Sequence, residues 1–245
     1  MTLRVALRKR PDLRWRAWLR RGESGMAAVE FALILPMMLA LYFGGVMLAQ
    51  GLDARRKTQT LSRTLADLAA QTLPAPGASI PVLADADILN IFAAAPAVLY
   101  PLAGTTNMTI SEIVFDNVSA SNSQCCVAKV LWSVGSGPNP TLRQCPTLLQ
   151  SLNGVNGAGV MPVGAYPPTV ASGNTTDTYV IVADVTYAFS PGFGFQNNNW
   201  SNGSTYVLSR TTYMSPRNGA SAAIRWTPGG AIPSSNYVVC TPNTP

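Results

Sequence analysis

The chain has 245 residues, 47% of them apolar and only 11% charged, a balance that points to a membrane segment rather than an ordinary soluble domain. Its formal charge of +6 does not describe a basic surface, because residues 1–25 carry eight basic against two acidic residues and so hold the whole excess. Beyond them nine Lys/Arg meet nine Asp/Glu without clustering, which leaves nucleic-acid binding no electrostatic footing, and the lack of histidine removes imidazole-dependent catalysis.

The basic leader, 1–25, runs into an apolar stretch. No residue from Phe31 to Ala49 is charged, and residues 26–49 wound as a helix reach about 36 Å, enough for a hydrocarbon core of about 30 Å. A transmembrane helix over 26–49 is therefore expected. Eight basic residues precede it and only Arg55, Arg56 and Lys57 follow closely, so the N-terminus belongs in the cytoplasm and the remainder is exported. A cleaved secretory signal fits less well, since the run outlasts an h-region of about 7 to 15 residues and no small-x-small site closes it. Arg20-Arg21 lacks the rest of a twin-arginine pattern, and the run holds no cysteine for a lipid anchor.

Glu30 interrupts this apolar run. An ionised side chain in a membrane helix costs about 2.5 kcal/mol or more, so such residues mark a partner or a functional site, although one near a helix start has the alternative of snorkelling to the interface. Gly25 stands directly before the run. Cleavage after it would make Met26 a new cationic amine within about one turn of Glu30 and of its counterparts on neighbouring helices. In a bundle of like helices an unpaired carboxylate is costly and an amine-paired one is tolerated, so the pairing would act as a register device. Pro36 removes one backbone donor and favours a bend, Gly44, Gly45 and Gly51 weaken the helix locally, and Ala27, Ala28 and Ala32 permit close helix approach.

Residues 50–72 continue as an amphipathic helix with Leu61, Leu65, Leu68 and Ala69 on one stripe, ended by Pro74 and Pro76. A linker, 73–81, leads to "DADILNIFAAAPAVLYP", a short helix with Asp85 and Asp87 suited to its N-terminus and Pro96 as its interruption. Capping is the favoured role of those two acids over a general-acid pair or a cation site. "NMTISEIVFDNV" and "CCVAKVLWSVG" read as a β-hairpin turning through 117–124, followed by a Gly/Pro/Asn/Thr-rich excursion, 135–177, with a short helix over 143–152. "DTYVIVADVTYAFSP" and "STYVLSRTTYMSP" are strands separated by the loop 192–203, and the C-terminal stretch is weakly patterned. The expected class is α+β: an N-terminal transmembrane helix extending into a long exported helix packed on a small antiparallel sheet, in an exported domain over 82–245 that disulfides stabilise.

Cys125, Cys126, Cys145 and Cys240 all fall in that exported part. An even count suits an oxidising compartment and two disulfides. Three pairings are possible; a bond between adjacent cysteines is strained, so Cys125 and Cys126 are each expected to pair with Cys145 or Cys240. A metal site is not expected without histidine or a CxxC pair, no cofactor motif occurs, and a Ser-Lys dyad using Lys57 or Lys129 lacks a motif, so enzymatic activity is not expected. Most aromatics sit on strands and suit the core. Trp200, in the Asn-rich "FGFQNNNWSNGS", is the candidate surface contact.

"GMAAVEFALILPMMLALYFGGVMLAQG" resembles the N-terminal segment of the TadE-like family, minor pseudopilins and assembly proteins of tight-adherence (Tad, Flp) pili, a branch of the type IV filament systems. "LSRTLADLAAQ", "TYVIVADVTYAFSP" and "TTYMSPR" are similar to its exported part. The resemblance implies an inner-membrane protein of single pass whose partners are other pilus subunits, the Tad assembly platform and a prepilin-type aspartyl peptidase. By the same resemblance Gly25 and Met26 flank the scissile bond, and Glu30, with Phe31 and Pro36, makes the assembly contact in the membrane. The sequence departs from major pilins of this system in carrying Phe31 where they favour tyrosine. The competing class is a membrane-tethered periplasmic or surface adhesin that uses the helix only as an anchor.

Overall fold

Helix α1, Glu23–Ala70, is the longest element of a computed structural model that describes residues 23–102, 104–116, 127–145, 178–190, 205–217 and 223–240. The chain divides into two compact units, residues 1–49 and 50–245. In the first unit α1 is apolar on all sides and carries its side chains outward: every residue from Gly25 to Tyr42 is exposed. None of the residues 25–49 is buried, and a helix apolar all round takes its stability from whatever surrounds it.

In the second unit α1 turns amphipathic and buries Ala54, Thr58, Leu61, Ser62, Leu65, Ala66, Ala69 and Ala70. Of the expected stripe, Leu61, Leu65 and Ala69 are buried and Leu68 is left 38% exposed. The buried arc is rotated toward the small residues Ser62, Ala66 and Ala70, which puts Leu68 at its margin. Small side chains let the helix axis approach the sheet, and Ser62 Oγ donates to the Ala183 carbonyl at 3.0 Å. Lys57 and Asp53, one turn apart, form an ion pair at 3.2 Å.

Among the described residues the main sheet has five antiparallel strands in the order β5-β4-β2-β3-β7. They are β2 (Thr106–Asp116), β3 (Val127–Ser136), β4 (Thr178–Phe189), β5 (Tyr206–Met214) and β7 (Tyr237–Val239). Alternation in β4 buries Ile181, Ala183, Val185, Tyr187 and Phe189 in the core shared with α1. Met108 and Ile110 of β2 and Trp132 and Val134 of β3 join them. Helices α2 (Asp85–Ala93) and α3 (Ala95–Leu99) close one side with Ile88, Ile91, Phe92 and Leu99, and Pro96 lies in the first turn of α3, where its missing N–H is harmless.

Several features depart from the sequence expectation. The linker 73–81 holds no helix or strand, but it is followed by an unexpected short strand, β1 (Val82–Leu83), which pairs in parallel with β6 (Arg225–Trp226). The weakly patterned C-terminal stretch supplies both β6 and the edge strand β7. No helix occupies the described part of 143–152, residues 143–145. Instead 137–145 folds back along β3: Arg143 N donates to Ser133 Oγ at 3.1 Å, and the Arg143 guanidinium forks onto Asp184 at 3.0 and 3.1 Å. That return explains why Cys145 is bonded to Cys240, with Cα atoms 5.5 Å apart, and not, as expected, either of them to Cys125 or Cys126. Strand β7 delivers Cys240 to β3, where its N–H reaches the Leu131 carbonyl at 2.8 Å, and the folded-back strap delivers Cys145 to the same place. Cys125, Cys126, Trp200, the leader up to residue 22, the turn 117–124 and the loop 192–203 lie outside the described residues.

Candidate functional site

The residues singled out in the apolar run all lie on α1. Gly25 is helical, and a Cβ added there would meet nothing within 4 Å, so no packing contact requires glycine at this point. Met26 is 69% and Phe31 61% exposed. Glu30 is one turn above Met26 on the same helix face, is exposed, and forms no hydrogen bond or ion pair among the described residues. Pro36 sits inside the helix, where its ring removes the N–H that would have met the Ala32 carbonyl. Gly44 and Gly45 likewise have open space beside them. The run in α1 is long and apolar enough to cross a membrane by length and composition. Chemically this segment offers one carboxylate on an otherwise featureless apolar cylinder. As a carboxylate, Glu30 can accept hydrogen bonds or pair with a cation.

A second carboxylate escaped the sequence reading. Alternation along β2 places Glu112 on the core face, in line with Met108 and Ile110, and it is fully buried. Its Oε1 accepts the Ile224 N–H at 2.6 Å and its Oε2 accepts the Trp132 Nε1–H at 2.8 Å, while the same indole reaches the Ile224 carbonyl at 2.8 Å. Burial pushes the carboxyl up, the two N–H donors pull it back in part, and the balance stands at about 7. A register shift between Glu112 and Ile113 leaves Leu131 of β3 unopposed in β2, and its carbonyl is the one taken by Cys240. The available signal was the isolated acid in an alternating apolar strand, at a position that should be buried.

Asp85 does similar work one layer away. The capping role holds for Asp87, whose Oδ2 accepts the Ala84 N–H at 3.0 Å. Asp85 instead accepts the Gly229 and Ala231 N–H groups, each at 2.9 Å. Burial pushes this carboxyl upward, but the N–H donors of Gly229, Ala231 and Ile232 outweigh burial and hold it below the ordinary aspartate range. The Trp226 indole adds to the lowering at longer range, since neither its Nε1 nor Asp85 Oδ1 closes a hydrogen bond of normal geometry. Trp226 packs between Trp132 and Tyr237, with ring centroids at 6.2 and 5.1 Å. Two buried acids, two tryptophans and one disulfide thus hold residues 223–240 onto the sheet. This arrangement is a clasp, with both acids occupied by backbone donors. Among the described residues no group of three His, Cys, Asp or Glu side chains converges as a metal site would require.

Comparison with known proteins bears on the first of these regions. Residues 25–67 match the family model described as TadE-like protein, a span that lies wholly within α1. No curated protein and no solved structure matches the chain.

Proposed function

Starting from a TadE-like segment at residues 25–67, we propose that this is a single-pass inner-membrane pseudopilin or assembly protein that takes part in building a Tad-type pilus. Its N-terminus faces the cytoplasm and the unit beginning at Gln50 is exported. The observation that carries this reading is Glu30, an exposed carboxylate without a partner among the described residues, on a helix whose every other residue from Gly25 to Tyr42 is uncharged and exposed. A simple tether has no use for a group that costs about 2.5 kcal/mol or more in lipid. A helix that must be accepted into a bundle of like helices does, because the carboxylate rewards a neighbour offering an amine at that depth and penalises any other register. Peptidase cleavage between Gly25 and Met26 would create such an amine one turn from Glu30.

Replacement of Glu30 by leucine tests the proposal. Membrane insertion should persist or improve, while pilus assembly falls to background in a piliation and adhesion assay. Normal piliation in the variant would make the helix an anchor and favour the adhesin reading. Mass measurement of the purified protein separates the two forms of the proposal: a mature start at Met26 is the processed pseudopilin, and a retained leader is an uncut assembly factor.

A further inference from the structure

One end of the exported unit gathers exposed aromatic and basic residues from three separate elements at the level where the chain enters it. Gly51 of α1 lies against Phe189, whose ring stands 3.8 Å from where a Cβ on that glycine would be. Phe189 is paired with Tyr206 and Ala188 with Val207, so the start of β5 lies at this same end. Lys57 Nζ donates to the Tyr100 carbonyl at 2.6 Å, and Ala188 N donates to the Thr105 carbonyl at 3.0 Å, which brings Tyr100 and Thr105 there as well. Tyr100 is 78%, Val207 64% and Tyr206 58% exposed. Leu52, Arg55 and Arg56 are exposed on α1, and the two arginines form no ion pair among the described residues. At the opposite end α1 finishes beside Arg217, whose N–H meets the Ala70 carbonyl at 2.9 Å.

We infer that this end of the unit rests on the headgroup band of the leaflet from which α1 emerges, with Tyr100, Tyr206 and Val207 seated at the interface and Arg55 and Arg56 on anionic phospholipid phosphates. The inference rests on the membrane-spanning reading above. The uncharged run reaches Leu52, so Arg55 and Arg56 stand about 4 to 6 Å further along a helix rising 1.5 Å per residue. A headgroup band of roughly 5 to 7 Å on each side of the hydrocarbon core includes that position. Tyrosine suits that depth because its ring is apolar and its hydroxyl wet, and unpaired guanidiniums fork onto phosphate oxygens. Burying three exposed apolar side chains that water would otherwise surround supplies the second term.

The test places a photo-crosslinking benzoylphenylalanine in the full chain, one site at a time, at Tyr206, at Leu41 inside the apolar run and at Leu73, an exposed apolar residue at the far end. Each protein is reconstituted in phosphatidylcholine nanodiscs with or without phosphatidylglycerol, and phospholipid adducts are read by mass. Tyr206 is expected to yield lipid adducts at least tenfold above Leu73, with phosphatidylglycerol preferred. The double variant Arg55→Gln/Arg56→Gln should erase that preference. Adducts at Leu41 with none at Tyr206 would overturn the inference and leave the membrane reading standing, and absence at Leu41 too would overturn both. Adducts at Tyr206 to another protein copy in place of lipid would make this end a subunit contact, and an unchanged phosphatidylglycerol preference in the double variant would overturn the arginine assignment.

Discussion

Replacing Glu112 by glutamine should change the pH dependence of stability more than its size. The carboxyl keeps its proton to about pH 7 in the folded chain against 4.5 ordinarily. Because the folded value is the raised one, its stabilising effect is complete below about pH 4.5 and is lost as pH rises toward 7. At about 1.4 kcal/mol per pKa unit, that loss is roughly 3 kcal/mol. Asp85 does not interfere, since its carboxyl is held low by backbone donors and its own contribution fails only under stronger acid. Glutamine cannot ionise, but its single oxygen can satisfy only one of the Ile224 and Trp132 donors, a deficit of about 1 to 3 kcal/mol at every pH. The variant should therefore be less stable than the parent near pH 5 and close to equal near pH 8. Urea unfolding of the full chain in detergent, followed by tryptophan fluorescence from pH 4.5 to 8, reads the difference directly. A parent-minus-variant difference that stays flat across that range would refute the reasoning.

Two further outcomes follow from the geometry around the sheet. Gly137 has φ of +112°, and a Cβ there would strike the Thr106 carbonyl oxygen, so Gly137→Ala should cost at least about 1 to 3 kcal/mol, visible as a lower melting temperature. The Cys145–Cys240 bond spans 95 residues of sequence, and Cys145→Ser should lower stability by roughly 4 kcal/mol while raising amide exchange in Tyr237–Val239.

What could be read from the residues depended on how local the information was. The apolar run of α1, the positions Leu61 and Leu65, and the strands β2 to β5 follow from periodicity, which any contiguous window displays. The parallel pair β1–β6 joins two-residue strands, Val82–Leu83 and Arg225–Trp226, and two residues hold no period to recognise. Spacing does not reveal the disulfide, because its partners are brought together by the return of 137–145 along β3, a tertiary event. Asp85 has the sequence position of a cap, at a helix start, but its acceptor role depends on the backbone at Gly229–Ala231 far along the chain. Glu30 stands out because its apolar context is local and continuous, whereas Glu112 lies in a strand with apolar residues on both faces, so its alignment with Met108 and Ile110 is a fainter signal.

The clasp at residues 223–240 also sets a timetable. Strand β6 arrives late to meet β1, Ile224 is the partner that the Glu112 carboxyl waits for, and Cys240 completes a ring begun at Cys145. A nascent chain stopped before residue 223 would leave a dry acid, an indole N–H and a sheet edge bare together. The second unit therefore gains its finished form only once residues 223–240 have been made, and until then its half-built sheet is the stretch most in need of a guardian.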